Sequence, residues 1–224
     1  MSSKSAVVLV TGATDGIGKA TARRLAEDGA FVLVHGRTKA RAESVARELQ
    51  ATTGRDVFLP CHGDFASLGA VRSLAERLHK LSPSVEVLVS NAGVCQSRLA
   101  WSVDGFELTF AVNHLAPFLL IHLLLPLLEA TPRGRIVLVS SSAHRRGRID
   151  FAALPRPAPS APFDGRVAYD NSKLANLLLG DELVRRLGPH PRVYSAHPGT
   201  ITTKLLVDGF GRQGHDNVLD AAMA

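Results

Sequence analysis

Short apolar, largely β-branched runs recur along the chain at residues 7–10, 31–34, 57–59, 85–89, 136–139 and 193–196. Between them, helical spacing covers 19–28, 39–52, 68–81, 105–129 and 169–187. Strands that alternate with helices form βαβ units, which set parallel strands side by side and cover both faces of the sheet. Strands buried on both faces read as continuous apolar runs, as most of these do. Gly29 stands where the first helix should stop. The predicted fold is α/β, a doubly wound parallel sheet in three αβα layers.

Two segments break the alternation. Residues 154–164 hold Pro155, Pro157, Pro159 and Pro162 and are expected to form a loop. From Val207 onward the chain is rich in glycine and polar residues, with only a weak helix near 217–223. The expected organisation is one domain over 1–206, with 207–224 as a mobile tail or partial substrate lid. At 224 residues the chain suits a single sizeable core.

The remaining composition narrows the function classes. The apolar run at 6–10 is too short for a signal-peptide core and reads as a strand. The longest apolar segment, 115–128, falls short of the roughly 20 residues needed to cross a bilayer, so no membrane span is expected. Cys61 and Cys95 show no metal-ligand spacing, so no metal site is expected and a reduced, cytoplasmic setting fits. The net charge of +6 is spread over helices and loops, with Arg145-Arg146-Gly147-Arg148 the one dense cluster. No basic stripe with interleaved aromatics is present, which argues against a nucleic-acid partner and leaves attraction to an anionic small molecule.

Candidate chemistry begins at the first strand–helix junction, Thr11-Gly12-Ala13-Thr14-Asp15-Gly16-Ile17-Gly18. Glycines there allow a tight turn and let backbone N–H groups approach a pyrophosphate, which the following helix N-terminus also favours. The second strand ends at His35-Gly36-Arg37-Thr38 and has no carboxylate to accept from a ribose 2′-OH. A guanidinium at Arg37 suits a 2′-phosphate, so NADP(H) is favoured over NAD(H), although Arg37 alone also reads as a surface charge. In Tyr169-Asp170-Asn171-Ser172-Lys173, the tyrosine and lysine share a helix face. The ammonium favours phenolate and is expected to ease ionisation of the phenol for acid–base work. Alone, the pair also reads as a half-buried tyrosine packed beside a solvated lysine.

Further motifs follow in order: Asp64 after the third strand, Asn91-Ala92-Gly93 after the fourth, Asn113 in the next helix, Ser140-Ser141-Ser142 after the fifth, and His197-Pro198-Gly199 after the sixth. This ordered set resembles the short-chain dehydrogenase/reductase family over nearly the whole chain. The stretches 142–144 and 168–176, with the proline-bearing insert, resemble its retinol-dehydrogenase-like branch. The resemblance implies a Rossmann-type fold and an oxidoreductase that interconverts a carbonyl and an alcohol by hydride transfer. Tyr169 would be the acid or base, and Lys173 would lower its pKa and hold the nicotinamide ribose. Ser141 would bond the substrate oxygen, and Asn113 would hold a water that continues the proton relay.

Cofactor contacts implied in the same way are Gly12, Thr14, Asp15, Gly16, Ile17, Gly18 and Arg37, then Asp64 and Phe65 beside the adenine. Asn91, Ala92 and Gly93 would form the floor, and Pro198, Gly199, Ile201 and Thr203 would lie by the nicotinamide. An apolar substrate is expected, in a pocket with Cys95, His144, Arg145, Phe151 and Leu205 as candidate lining. Ser140 and Ser142 read as capping hydroxyls, and His144 and His197 as structural hydrogen-bonders. The resemblance allows a homodimer. Relatives usually continue with another helix and a seventh strand, which are expected to be missing here. The alternative is a non-catalytic NADP(H)-binding protein or truncated paralogue with an incomplete substrate pocket.

Overall fold

Strands β1 (Val7–Val10), β2 (Phe31–Gly36), β3 (Phe58–His62), β4 (Val87–Ser90), β5 (Arg135–Val139) and β6 (Arg192–Ala196) form one sheet in the order β3-β2-β1-β4-β5-β6. Every neighbouring pair is parallel. The computed structural model describes residues 5–151 and 162–199. The expected tail over 207–224, most of the proline-rich insert and the residues where a seventh strand would lie fall outside them. The sheet, its flanking helices and its Rossmann-like winding agree with the alternating pattern.

Alternation of side chains along each strand separates two core regions. Leu9, Leu33, Leu88 and Ile136 face α3 (Leu68–Leu81), α5 (Ala116–Glu129) and α6 (Gly165–Arg186), sharing a cluster with Leu74, Leu120 and Leu183. Val8, Val10, Val32 and Val34 form the opposite face with α1 (Gly16–Glu27) and α2 (Lys39–Thr53), against Ala22, Ala26, Val45 and Leu49. Small valine and alanine side chains let those two helices lie close to the strand ends. Side-chain caps start α1 at Asp15 and α3 at Ser67, while Gly29, at φ +95°, turns the chain out of α1.

The helical stretch before β5 differs from its expected form. A short α4 (Leu108–Phe110) runs through a π-turn at Ala111–Leu115 into α5. The continuous helix Leu108–Glu129 has 22 residues and is apolar and long enough to cross a membrane by length and composition. The expectation of no span rested on the shorter segment 115–128, which is only part of this helix. Slightly over half of its apolar window, 56%, is buried inside the domain. The same side chains therefore serve as core between the sheet and α3. β3 also runs further than expected, through Pro60 to His62; on an edge strand, a missing N–H is tolerated.

One buried histidine ties the carboxyl ends of three strands together. His35 Nδ1 accepts from Gly12 N–H at 3.2 Å, which leaves Nε2 protonated to donate to the Gly63 carbonyl at 3.0 Å. Its ring stacks on Phe65 at 4.7 Å between centroids. Burial pushes its pKa from 6.5 down to about 4.

Two stability measurements follow from this packing. Leu88→Ala empties a fully buried position in the sheet centre and should cost about 2–5 kcal/mol in urea unfolding. For His35, the unfolded chain takes up a proton before the folded one, so stability falls as pH drops from 6.5 towards about 4. Wild type should lose about 2 kcal/mol from this group between pH 7 and pH 5, and His35→Gln should show a correspondingly flatter acid slope. Equal slopes would contradict a neutral, buried His35.

Candidate active site

The winding of the sheet reverses between β1 and β4, and their carboxyl ends splay into a crevice there. Thr11 holds the two sides: its Oγ1 accepts from Asn91 N–H at 2.9 Å and Ala92 N–H at 3.1 Å. Asn91 Nδ2 donates back to the Thr11 carbonyl at 2.9 Å. Gly12 adopts φ +65°, and a Cβ on it would lie 2.8 Å from Ala92 Cα. A Cβ on Gly18 would lie 2.3 Å from the Gly12 carbonyl oxygen. The tight turn thus requires glycine at both positions.

The crevice opens into a cleft of about 680 Å³. The whole glycine loop from Gly12 lines it, except Ala13, and Arg37, Asp64 and Phe65 wall one part. Asn91, Ala92 and Gly93 lie along the middle, with Ser141, Tyr169, Lys173, Pro198 and Gly199 also on its lining. Ile201, Thr203 and Leu205 fall outside the described residues. Of the other candidate pocket residues, Cys95 lines the cleft, whereas His144, Arg145 and Phe151 do not. Arg41 is a cleft residue that the sequence did not single out; it lies one turn into α2. Its guanidinium stands 3.9 Å from Asp15, whose other carboxylate oxygen caps the Gly16 N–H at 2.8 Å. Asp15 therefore serves α1 as a cap, with a cation offsetting its charge.

The polar group at the far end is built from β5 and α6. Ser141 Oγ caps the 3-10 turn Ser142–Arg146 by accepting from Ala143 N–H at 3.2 Å, and its hydroxyl lies near enough to the Tyr169 phenol to lower its pKa. Lys173 Nζ donates to the Val139 carbonyl at 3.1 Å and lies 5.4 Å from the Tyr169 ring centroid. Ser140 is not a capping hydroxyl as expected: its Oγ donates to the Lys173 carbonyl at 3.1 Å and fastens β5 to α6. His144 and His197 do bond locally, to the Ser141 carbonyl and the Gly199 N–H respectively.

The electrostatics depart from the sequence argument. Burial pushes the Tyr169 phenol up to about 12, against the lowering effect of the Ser141 hydroxyl. Burial also takes the Lys173 ammonium down to about 8. Burial of the phenol, and not the neighbouring ammonium expected to lower it, sets the direction of its shift.

Asn113 sits in the π-turn, fully buried and away from the cleft lining. Its Oδ1 accepts from Val94 N–H at 2.7 Å, and its Nδ2 donates to the Val94 carbonyl and to Ser172 Oγ. Its backbone carbonyl accepts from Asn176 Nδ2 at 2.8 Å. The side chain thus ties the loop after β4 to α6. Ser172 continues the link by donating to the Tyr169 carbonyl at 2.7 Å.

A dinucleotide suits this cleft. The glycine turn brings backbone close to α1's N-terminus without side chains in the way, which is how a phosphate is received. Arg37 is exposed, and among the described residues no carboxylate pairs with it, so its guanidinium remains available to an anion.

Comparisons with known proteins agree with this geometry. A family model described as short chain dehydrogenase matches residues 6–153. Dehydrogenase/reductase SDR family member 13 of Bos taurus is 42% identical over 200 residues, covering 89% of this chain and 52% of that protein. Retinol dehydrogenase 11 of Homo sapiens is 43% identical over 201 residues, covering 89% of this chain and 62% of that protein. The chain thus spans 52–62% of the length of these relatives. Among solved structures, an uncharacterized protein from Mycobacterium paratuberculosis superposes with a TM-score of 0.74 at 36% identity, covering 98% of this chain and 76% of its own. A short chain dehydrogenase from Shigella flexneri complexed with NADP gives a TM-score of 0.70 at 28% identity, covering 95% and 84%. With the glycine turn, the Ser141–Tyr169–Lys173 group and these matches together, the chain belongs to the short-chain dehydrogenase/reductase family, on its retinol-dehydrogenase-like branch.

Proposed function

We propose that this chain carries out NADP(H)-dependent interconversion of a carbonyl and an alcohol on an apolar substrate. The observation that carries the reading is the meeting of Ser141, Tyr169 and Lys173 in the same cleft as a glycine-lined anion cradle and Arg37. The nicotinamide cofactor, when bound, supplies or takes up the hydride. The chain's residues then have to polarise the carbonyl oxygen and move one proton. Ser141 Oγ donates to that oxygen, and the Tyr169 hydroxyl delivers its proton to it as the alcohol forms. A phenol held up at about 12 is protonated at neutral pH and ready to act as the acid. With its pKa down at about 8, Lys173 is still mostly charged at pH 7, stabilising the phenolate left behind and available to a ribose hydroxyl.

Preference for NADP(H) rests on Arg37 at the end of β2, where a carboxylate would otherwise accept from a 2′-OH. Arg41, on the same part of the wall, adds a second cation beside it. The apolar substrate class is supported by likeness to proteins named retinol dehydrogenases and by the apolar lining of Cys95, Leu108 and Val112.

NADPH oxidation should be followed with all-trans-retinal, nonanal and benzaldehyde as probes. Tyr169→Phe should lower turnover at least about 100-fold while NADPH binding, read by cofactor fluorescence, stays within twofold (about 0.4 kcal/mol). Unchanged turnover would remove Tyr169 from the proton step, and no turnover by wild type on any probe would count against the enzymatic reading. In separate titrations, Arg37→Ala should weaken NADPH by about 10-fold or more, as expected for a lost charge-assisted hydrogen bond. NADH affinity should change little. Equal losses for both cofactors would exclude Arg37 as the 2′-phosphate contact.

A further inference from the structure

Beside Tyr169, the adjoining residue of α6 carries a buried negative charge. The Asp170 side chain is only 7% exposed, and its two oxygens accept from Arg146 Nε and Nη2, each at 2.9 Å. Arg146 ends the 3-10 turn Ser142–Arg146, whose capping residue is Ser141. The following residue packs hard against the same helix: a Cβ on Gly147 would lie 2.9 Å from the Asp170 carbonyl oxygen and 2.7 Å from Leu174 Cβ. Arg148 N–H then donates to Asn171 Oδ1 at 2.7 Å. The one dense basic cluster of the sequence therefore contains a side chain directed at the helix that bears Tyr169.

We propose that Arg146 is a positioning residue for the proton-transfer step, its guanidinium fork neutralising the buried Asp170 carboxylate beside Tyr169 and pinning the Ser141 turn to the helix that bears Tyr169 and Lys173. The proposal rests on the enzymatic reading for its kinetic consequence, but not for its electrostatic one. A bidentate fork is suited to the task because both carboxylate oxygens are satisfied in one fixed orientation. An unpaired carboxylate at this depth would oppose formation of the phenolate. The charged and titratable groups near the Tyr169 phenol are Lys173 and Asp170 on α6, Arg146 from the turn after β5 and Cys95 from the loop after β4, with the neutral Ser141 hydroxyl beside them. Of these, Asp170 and Cys95 raise the phenol's pKa, while the Ser141 hydroxyl lowers it.

The first arm of the test is the pH profile of kcat/KM for NADP+-dependent oxidation of 1-nonanol. Arg146→Ala should move the limb on which activity rises to higher pH by about half a unit or more. Arg146→Lys should restore most of the shift, and Arg146→Ala combined with Asp170→Asn should return it to the wild-type position. A uniform loss of kcat at every pH, with the limb unmoved, would reduce Arg146 to a structural tie and overturn the proposal.

The second arm needs no turnover. The chain has two tyrosines, so in a Tyr194→Phe background phenolate absorbance at 295 nm reports Tyr169 alone. At pH 11, with folding checked by circular dichroism, Arg146→Ala should ionise less than the parent, and the double substitution should recover the parent's value. Equal ionisation in all three proteins overturns the proposal whether or not any substrate is turned over. The expected ordering in a protein that turns over no substrate would support the charge pairing while the enzymatic reading fails.

Discussion

The reversal of winding between β1 and β4 is the constraint on which the site depends. Strand pairing brings these two strands together, but their connections leave in opposite directions, so their carboxyl ends splay apart into a crevice. Thr11 and Asn91 close that gap from below with backbone and side-chain hydrogen bonds. What remains above them is a floor of small residues: Gly12, Ala92 and Gly93 on one level and Gly18 behind. The groups of the cleft are arranged around this floor, with Arg37 just past the end of β2 and Ser141 just past the end of β5, each one strand away, and Tyr169 and Lys173 on α6. His35 stiffens the same region from the β2 side by joining Gly12 to Gly63.

At the other end, burial and charge compete. Tyr169 and Lys173 are each under 10% exposed, so desolvation acts on both. It pushes the phenol up and the ammonium down, and favours the neutral form of each. The consequence is a protonated phenol at neutral pH with the Ser141 hydroxyl close by. That arrangement suits donation of a proton to a developing alkoxide, and it makes the remaining charges nearby matter more. The Arg146–Asp170 pair is one of these, because a low-dielectric setting enlarges the effect of any carboxylate left unpaired.

Much of the fold was legible because strand burial writes itself as unbroken apolar runs and because helix stops use glycine. All six strands begin within two residues of the start of their apolar runs. The site was legible wherever a residue type is forced by close approach, as at Gly12 and Gly18. Less could be read where tertiary contacts decide. The π-turn at Ala111–Leu115 turns Asn113 inward to the Val94 backbone, and no local pattern announces it. Ser140 and Ser141 look alike in sequence, yet one fastens α6 and the other faces Tyr169, because successive residues leaving a strand point to opposite sides. The sequence could not single out Arg41 or the role of Arg146, because their partners, Asp15 and Asp170, lie 26 and 24 residues away in sequence.

Hydrogen–deuterium exchange of the full chain with and without NADP+ tests most directly whether the β1/β4 crevice is the dinucleotide site. The account predicts slowed exchange at the amides of residues 12–18, 36–38 and 91–94, with little change in α3 or at the start of β6. Protection that is absent from the glycine turn, or that gathers instead at the smaller cleft formed by Lys39, His62 and Arg77, would contradict it.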